Sequence, residues 1–154
     1  MTPVTSTAVA AWFAEADPDP GRVWKEWGER GVALLPLGRR FDAIRVPAER
    51  VHAAVGSEDA KVVAEGLRTW LEGPVIRDLR SNFGPYYVLV APDADWDGPE
   101  ERLSSDTYLG VPRPGHISLL TCWVVPLLAP GALCDPVHLR TLLALANPPR
   151  TVGR

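Results

Sequence analysis

The chain has 154 residues, of which 46% are hydrophobic and 23% charged, and its formal net charge at pH 7 is -3. This composition is that of an ordinary globular protein and excludes a disordered or low-complexity chain. The slightly acidic balance also argues against sequence-independent binding to duplex nucleic acid or an anionic membrane, because both need a positive surface field.

The length predicts a single domain over residues 1–147 and a loose tail over residues 148–154. Cys122 and Cys134 are the only cysteines, and since neither lies in a CxxC motif we expect both to be reduced. The longest apolar run is broken by Pro126 and is too short to span a bilayer. No secretory signal pattern opens the sequence. We therefore expect a cytoplasmic protein.

The N-terminal part of the chain predicts two helices followed by two strands. Apolar residues at i, i+3, i+4 and i+7 indicate a first helix, and a second, short helix ends at Gly28 or Gly31. A strand over residues 32–35, a turn over 37–40 and a strand over 41–46 then predict a β-hairpin.

The rest of the chain predicts two more helices, four strands and a last helix. Pro47 begins one helix, Ser57 caps the next, and Gly73 ends it. Apolar runs predict strands over residues 75–76, 86–90, 107–111 and 117–125. Asp135 is the predicted N-cap of the last helix. This order of elements predicts an α/β (α+β) fold.

An acidic stretch resembles half of a calcium-binding loop. Asp93, Asp95 and Asp97 alternate with other residues before Gly98, but Ser104 stands where such a loop has its bidentate glutamate. The flanking residues also predict strands instead of helices. A calcium site and a solvated acidic loop both stay open, and the incomplete ligand set favours the solvated loop, so we assign no metal site.

Five arginines surround the predicted hairpin and the third strand: Arg39, Arg40, Arg45, Arg77 and Arg80. If they meet at one edge of the sheet, their guanidinium groups could hold phosphates in bidentate geometry. The alternative is that they are exposed and pair with nearby acids such as Asp78.

Other residue types give no complete catalytic motif. Cys134 lies at a helix start, where a thiol can be activated, but a small buried core residue is the simpler interpretation. His52 and His116 have no partner at metal-ligand spacing, and phosphate-binding and nucleophile-elbow motifs are absent from the sequence. Among the six tryptophans, Trp96 is the one that we expect to be free to contact a partner.

Four segments together resemble a known family: residues 34–47, 73–78, 86–90 and 107–112. They are similar to small actinobacterial proteins classed with the bifunctional DNA primase/polymerase N-terminal domain, over residues 12–143 or so. The resemblance implies an archaeo-eukaryotic primase-like core, in which a helical N-terminal unit packs on a mixed central sheet flanked by helices. In that family the sheet binds nucleotide and metal.

The sequence departs from the active members of this family. They place two acidic residues one position apart on a core strand, because two metal ions need bridging carboxylates, whereas Asp42 is followed here by Ala43 and Ile44. They also place a histidine before the aromatic strand, and residues 84–87 contain none. Asp106 corresponds loosely to a later acid. The comparison therefore implies a scaffold without polymerase activity, catalytic residues or cofactor.

These observations predict a non-catalytic, primase/polymerase-like domain that acts as an accessory or regulatory module. Its partner would be a protein, a nucleotide or single-stranded nucleic acid and not a membrane, and a regulatory homodimer is a third alternative. The ligand-binding candidates are Arg39, Arg40, Asp42, Arg77, Arg80 and Asp106. The alternative is a metal-dependent nucleotidyl-transfer enzyme with a divergent active site, which would require a divalent ion and place these residues in one cleft.

Overall fold

A computed structural model describes residues 3–81 and 83–146. The predicted tail over residues 148–154 lies outside this part. The described chain forms the helices α1 (Pro3–Ala14), α2 (Pro20–Arg30), α3 (Ala48–Val55), α4 (Ala60–Leu71) and α5 (Pro136–Ala144). Its strands are β1 (Val32–Pro36), β2 (Asp42–Val46), β3 (Val75–Asp78), β4 (Tyr86–Val90), β5 (Glu101–Leu103), β6 (Tyr108–Pro112) and β7 (Thr121–Val125). None of the described helices is long and apolar enough to cross a bilayer.

The strands form two sheets, one of five strands in the order β5-β2-β4-β3-β7 and one of two strands, β1-β6. The predicted α/β class is confirmed. The named strands all pair antiparallel, whereas the resemblance implied a mixed sheet. One reason is that residues 79–85 join β3 to β4, and this connection is shorter than the dozen or so residues that a parallel crossover needs.

The first two strands do not form the predicted hairpin. β1 pairs with β6, and β2 pairs with β4 and β5 in the other sheet. The turn between them packs on the turn before β6, where the Leu37 N–H donates to the Thr107 carbonyl at 2.9 Å. This bond extends the β1–β6 ladder, so the chain after β1 continues beside β6 and not beside β2.

Buried side chains form one core on each face of the five-stranded sheet. Ala43 and Leu89 belong to the first core, with α1, α2 and the β1–β6 sheet, while Ile44 and Val88 belong to the second, with α3, α4 and α5. Successive residues of a strand point to opposite faces, so β2 and β4 are apolar on both. The fold therefore has three layers. The first is α1, α2 and the β1–β6 sheet, the second is the five-stranded sheet, and the third is α3, α4 and α5. The predicted helical N-terminal unit belongs to the first layer.

Two further boundaries differ from the sequence prediction. Asp59, and not Ser57, caps α4 by accepting from the N–H groups of Lys61 and Val62. Strand β7 begins at Thr121, because the preceding residues 117–120 form an exposed loop. Ile117 is 94% exposed and so has no core to pack against.

Candidate functional site

Asp42 lies inside the protein and not in an open cleft. Its side chain is 1% exposed. One carboxylate oxygen, Oδ2, accepts from Arg102 Nε at 2.9 Å, and the other, Oδ1, accepts from Ser104 Oγ at 3.0 Å. Both partners come from β5 or the residue after it, next to β2 in the sheet. Both oxygens of the predicted ligand-binding acid are thus already used within the fold.

The guanidinium of Arg102 also holds the loop that follows β4. It donates to the carbonyl oxygens of Pro92 at 2.8 Å and Ala91 at 3.3 Å, and to that of Ala94. Sequence reasoning missed this residue, since Arg102 lies 60 positions from Asp42 and no local motif links them.

The acidic loop, residues 93–98, contacts the rest of the protein through Trp96 and Asp97. Asp97 pairs with Arg140 of α5, and Trp96 Nε1 donates to the Glu100 carbonyl at 2.9 Å. The Trp96 ring packs against the second core, so the prediction that it is free to contact a partner is wrong. Among the described residues, no three His, Cys, Asp or Glu side chains are grouped as a metal ion would require.

Asp106 and Arg39 lie at the surface. Asp106 occupies the turn before β6 with a φ of 71°, and Arg39 is exposed in the turn after β1. Asp106 is exposed whereas Asp42 is buried, so the two acids do not face one open site.

The predicted arginines occupy separate environments. Arg40 pairs with Glu15 at 3.1 Å and lies over the Trp12 ring. Arg77 stacks on the Tyr86 ring at 4.8 Å, on the face of the second core. Arg80 pairs with Asp78. Arg40 and Arg80 thus pair with nearby acids, as in the alternative interpretation, and both Arg80 and Arg45 act on Asp78.

Arg80 lines a cleft of about 290 Å³ between the two sheets. One wall is formed by the outer side of β1 and β6, including Leu34 and Tyr108, and the other by the ends of β3, β4 and β7. Tyr87 and Leu120 complete an apolar and aromatic lining. Such a lining with a few convergent polar groups is typical of binding sites. We name it the intersheet cleft.

The charges in the intersheet cleft neutralise each other. Arg80 donates to the Asp78 carboxylate from Nε at 3.0 Å and from Nη2 at 2.8 Å. These bonds are the main reason that the pKa of Asp78 lies below its ordinary value, and Arg45 lowers it further. Arg45 itself lies 3.9 Å from Glu101. Among the residues that the structure describes, the cleft therefore has no excess of positive charge for a phosphate chain.

The chain matches no family model, no curated protein sequence and no solved structure. The primase/polymerase resemblance therefore rests on the sequence segments alone.

The cysteines and histidines do not form a nucleophilic site in the described residues. Cys134 is buried, its thiol donates to the Pro74 carbonyl at 3.4 Å, and burial raises its pKa to about 12. Burial also raises the pKa of Cys122. His52 Nε2 lies 2.9 Å from the Tyr86 hydroxyl, in the third layer of the fold. At neutral pH the two thiols are protonated and so are poor nucleophiles.

Proposed function

We propose that this protein is a non-catalytic, primase/polymerase-like module that binds a polypeptide partner in the intersheet cleft. The observation that carries the proposal is the pairing of Asp42 with Arg102 and Ser104. A carboxylate must present free oxygens to coordinate metal ions for nucleotidyl transfer. Both Asp42 oxygens have partners, and the carboxylate is shielded from solvent.

The lining of the cleft supports a polypeptide over a nucleotide. Phosphate recognition needs guanidinium groups with donors to spare, but Arg80 already gives Nε and Nη2 to Asp78. Tyr87, Tyr108 and Leu34 offer aromatic and apolar surface. Interfaces between proteins are rich in such side chains at their centres.

The rival function is metal-dependent nucleotidyl transfer. It would require Asp42 to leave Arg102 and to bind a divalent ion without a neighbouring acid. Extension of a primed template with all four nucleotides, in Mg²⁺ or Mn²⁺, tests this directly. We expect no templated extension, and we expect calorimetry to detect no metal-dependent micromolar binding of a nucleoside triphosphate.

Extension that is lost in Asp42→Asn would contradict the non-catalytic proposal. The matched control is Asp95→Asn, which changes an exposed carboxylate in the acidic loop and should leave any such activity unchanged. Circular dichroism of both variants separates lost activity from lost folding.

Partner binding can be tested with a random heptapeptide library displayed on phage. We expect the chain to enrich peptides whose binding is lost in Leu34→Asp, because this change puts a charge on an apolar wall of the cleft. The matched control is Leu128→Asp, since Leu128 is also exposed but lines a different groove. Enriched peptides that tolerate Leu34→Asp would place the binding elsewhere.

A further inference from the structure

The ladder between β1 and β6 fixes the direction of every backbone polar group in these strands. Arg113 N–H donates to the Gly31 carbonyl at 2.9 Å at one end, and Leu37 N–H to the Thr107 carbonyl at the other. In an antiparallel ladder, hydrogen-bonded and non-hydrogen-bonded pairs alternate. Leu34 and Gly110 face each other across the strands and, by this alternation, form a non-hydrogen-bonded pair. Their N–H and C=O groups point away from the ladder.

The outer edge of β1 is closed by side chains of α2. Leu34 N–H donates to Glu26 Oε1 at 3.1 Å, and the Leu34 carbonyl accepts from Arg22 Nη2 at 2.9 Å. Arg22 and Glu26 also pair with each other. An incoming strand would have to displace this ion pair, so the β1 edge is protected against strand addition.

The outer edge of β6 is open and lies in the intersheet cleft. Tyr108 and Gly110 line the cleft, and their N–H and C=O groups point away from β1. In the described part of the chain, the backbone of Gly110 has no hydrogen-bond partner on this edge. At the far end of the same edge, the Pro112 carbonyl accepts from Trp123 Nε1 at 2.9 Å, which agrees with the deduced direction. Gly110 has no side chain to obstruct an approaching backbone.

We propose that the partner is an extended polypeptide segment that adds a third strand to β6 at Tyr108 and Gly110. This inference rests on the proposed function, because it specifies how the cleft holds its partner. Backbone pairing would supply affinity, and alternate apolar side chains of the segment would contact Leu34 and Tyr108. A second copy of the chain is a poorer occupant, since its β6 edge also lies inside a cleft, which restricts the approach of two such edges.

The peptides selected on the wild-type chain supply the probe for strand addition. Their affinities for Gly110→Pro and Gly110→Ala are measured by fluorescence polarisation. Proline removes the outward N–H and is tolerated where that group is not part of the ladder. Alanine keeps the N–H, and its Cβ would meet Val32 Cγ1 at an ordinary 3.4 Å. We expect proline to weaken binding about tenfold or more, and alanine to change it less than about threefold.

Amide hydrogen exchange gives a second readout that needs no variant. In the free protein the Gly110 and Tyr108 amides should exchange faster than those of Leu109 and Val111, which bond to β1. Saturating peptide should slow exchange at Gly110 about tenfold or more.

Three results would overturn strand addition. Peptides that bind Gly110→Pro as well as wild type, but lose affinity for Leu34→Asp, would leave the cleft as the site and remove the backbone pairing. An unchanged rate of amide exchange at Gly110 in the saturated complex would also show that the peptide does not pair with the β6 backbone. A dimer in analytical ultracentrifugation that dissociates in Gly110→Pro would assign the edge to a second copy. Failure to enrich any peptide would instead contradict the proposed function itself.

Discussion

A buried carboxylate must be neutralised inside the protein, because removing an unpaired charge from water costs several kcal/mol. Asp42 has Arg102 for this purpose, and Ser104 satisfies its second oxygen. The same guanidinium bonds to three backbone carbonyls of the loop that follows β4. Arg102 therefore links the central sheet to a surface loop.

Arg102→Met should destabilise the fold by about 3 kcal/mol, since it leaves the buried Asp42 charge without its partner. The free energy of urea unfolding measures this. The control is Arg45→Met, because Arg45 is half exposed and lies 3.9 Å from its acid, and it should cost about 0.5 kcal/mol or less. Equal losses in the two variants would show that Asp42 does not depend on Arg102.

His52 gives the fold a dependence on pH. Burial lowers its pKa below 6.5, and the positive charge of Arg77 lowers it further, while Glu58 acts in the opposite direction. The unfolded chain therefore binds this proton more readily than the folded protein does. The stabilisation is complete above pH 6.5 and is lost as the pH falls through the folded pKa.

An NMR titration of His52 tests both signs. We expect Arg77→Met to raise its pKa by removing a positive charge, and Glu58→Gln to lower it by removing a negative one. A shift of the same sign in both variants would mean that these charges do not set the pKa of His52.

At the scale of single elements, local sequence patterns predicted an element correctly where the interactions that stabilise it lie within a few residues. The predicted cap of α5 is confirmed, because Asp135 accepts from the Val137 N–H and Pro136 begins the helix. The strand predicted over residues 86–90 is confirmed as β4. Its apolar residues are buried on both faces of the sheet, which is the environment that an unbroken apolar run predicts.

Local sequence patterns did not predict the contacts between distant segments of the chain. Neighbouring strand patterns over residues 32–35 and 41–46 predicted a hairpin, but β1 pairs with β6 instead. The apolar residues 117–120 predicted a longer β7 and instead form an exposed loop. Periodicity records which residues are apolar, but not whether another element covers them.

The candidate site was predicted only in part for the same reason. Arg80 was a candidate and lines the intersheet cleft. Its partner Asp78 was the acid named in the alternative interpretation, and the pairing is observed. Tyr87 and Tyr108 come together only when two sheets meet, and no spacing in the sequence indicates that meeting.

The turn between β1 and β2 depends on a glycine. Gly38 has a φ of +93°, and an added Cβ would lie 2.8 Å from the Ser105 backbone nitrogen. Gly31 has a φ of +75° but no atom within 4 Å of such a Cβ. Gly31→Ala should therefore cost about 1 kcal/mol from backbone strain alone. Gly38→Ala should cost at least about 1 kcal/mol more, because it adds a steric clash.

Urea unfolding of the two glycine variants distinguishes the strain from the clash. If Gly38→Ala is no worse than Gly31→Ala, the turn does not pack tightly against the segment before β6. That result would also weaken the assignment of β1 and β2 to separate sheets.

At the scale of the whole molecule, the three layers separate the two features on which the proposed function depends. The five-stranded sheet encloses Asp42, while the gap between this sheet and β1–β6 forms the cleft. The acid that the resemblance assigns to chemistry thus lies in the interior. The exposed backbone edge and the aromatic lining lie together in the cleft.

The most direct test of the non-catalytic account is a Mn²⁺ titration of the ¹⁵N-labelled protein, with paramagnetic broadening mapped onto each amide. Ala43, Leu89 and Leu103 face one another across β2, β4 and β5 beside Asp42. We predict that their signals lose intensity no faster than the average signal, because Arg102 and Ser104 occupy the carboxylate. Strong broadening centred on these three residues at micromolar Mn²⁺ would contradict the account.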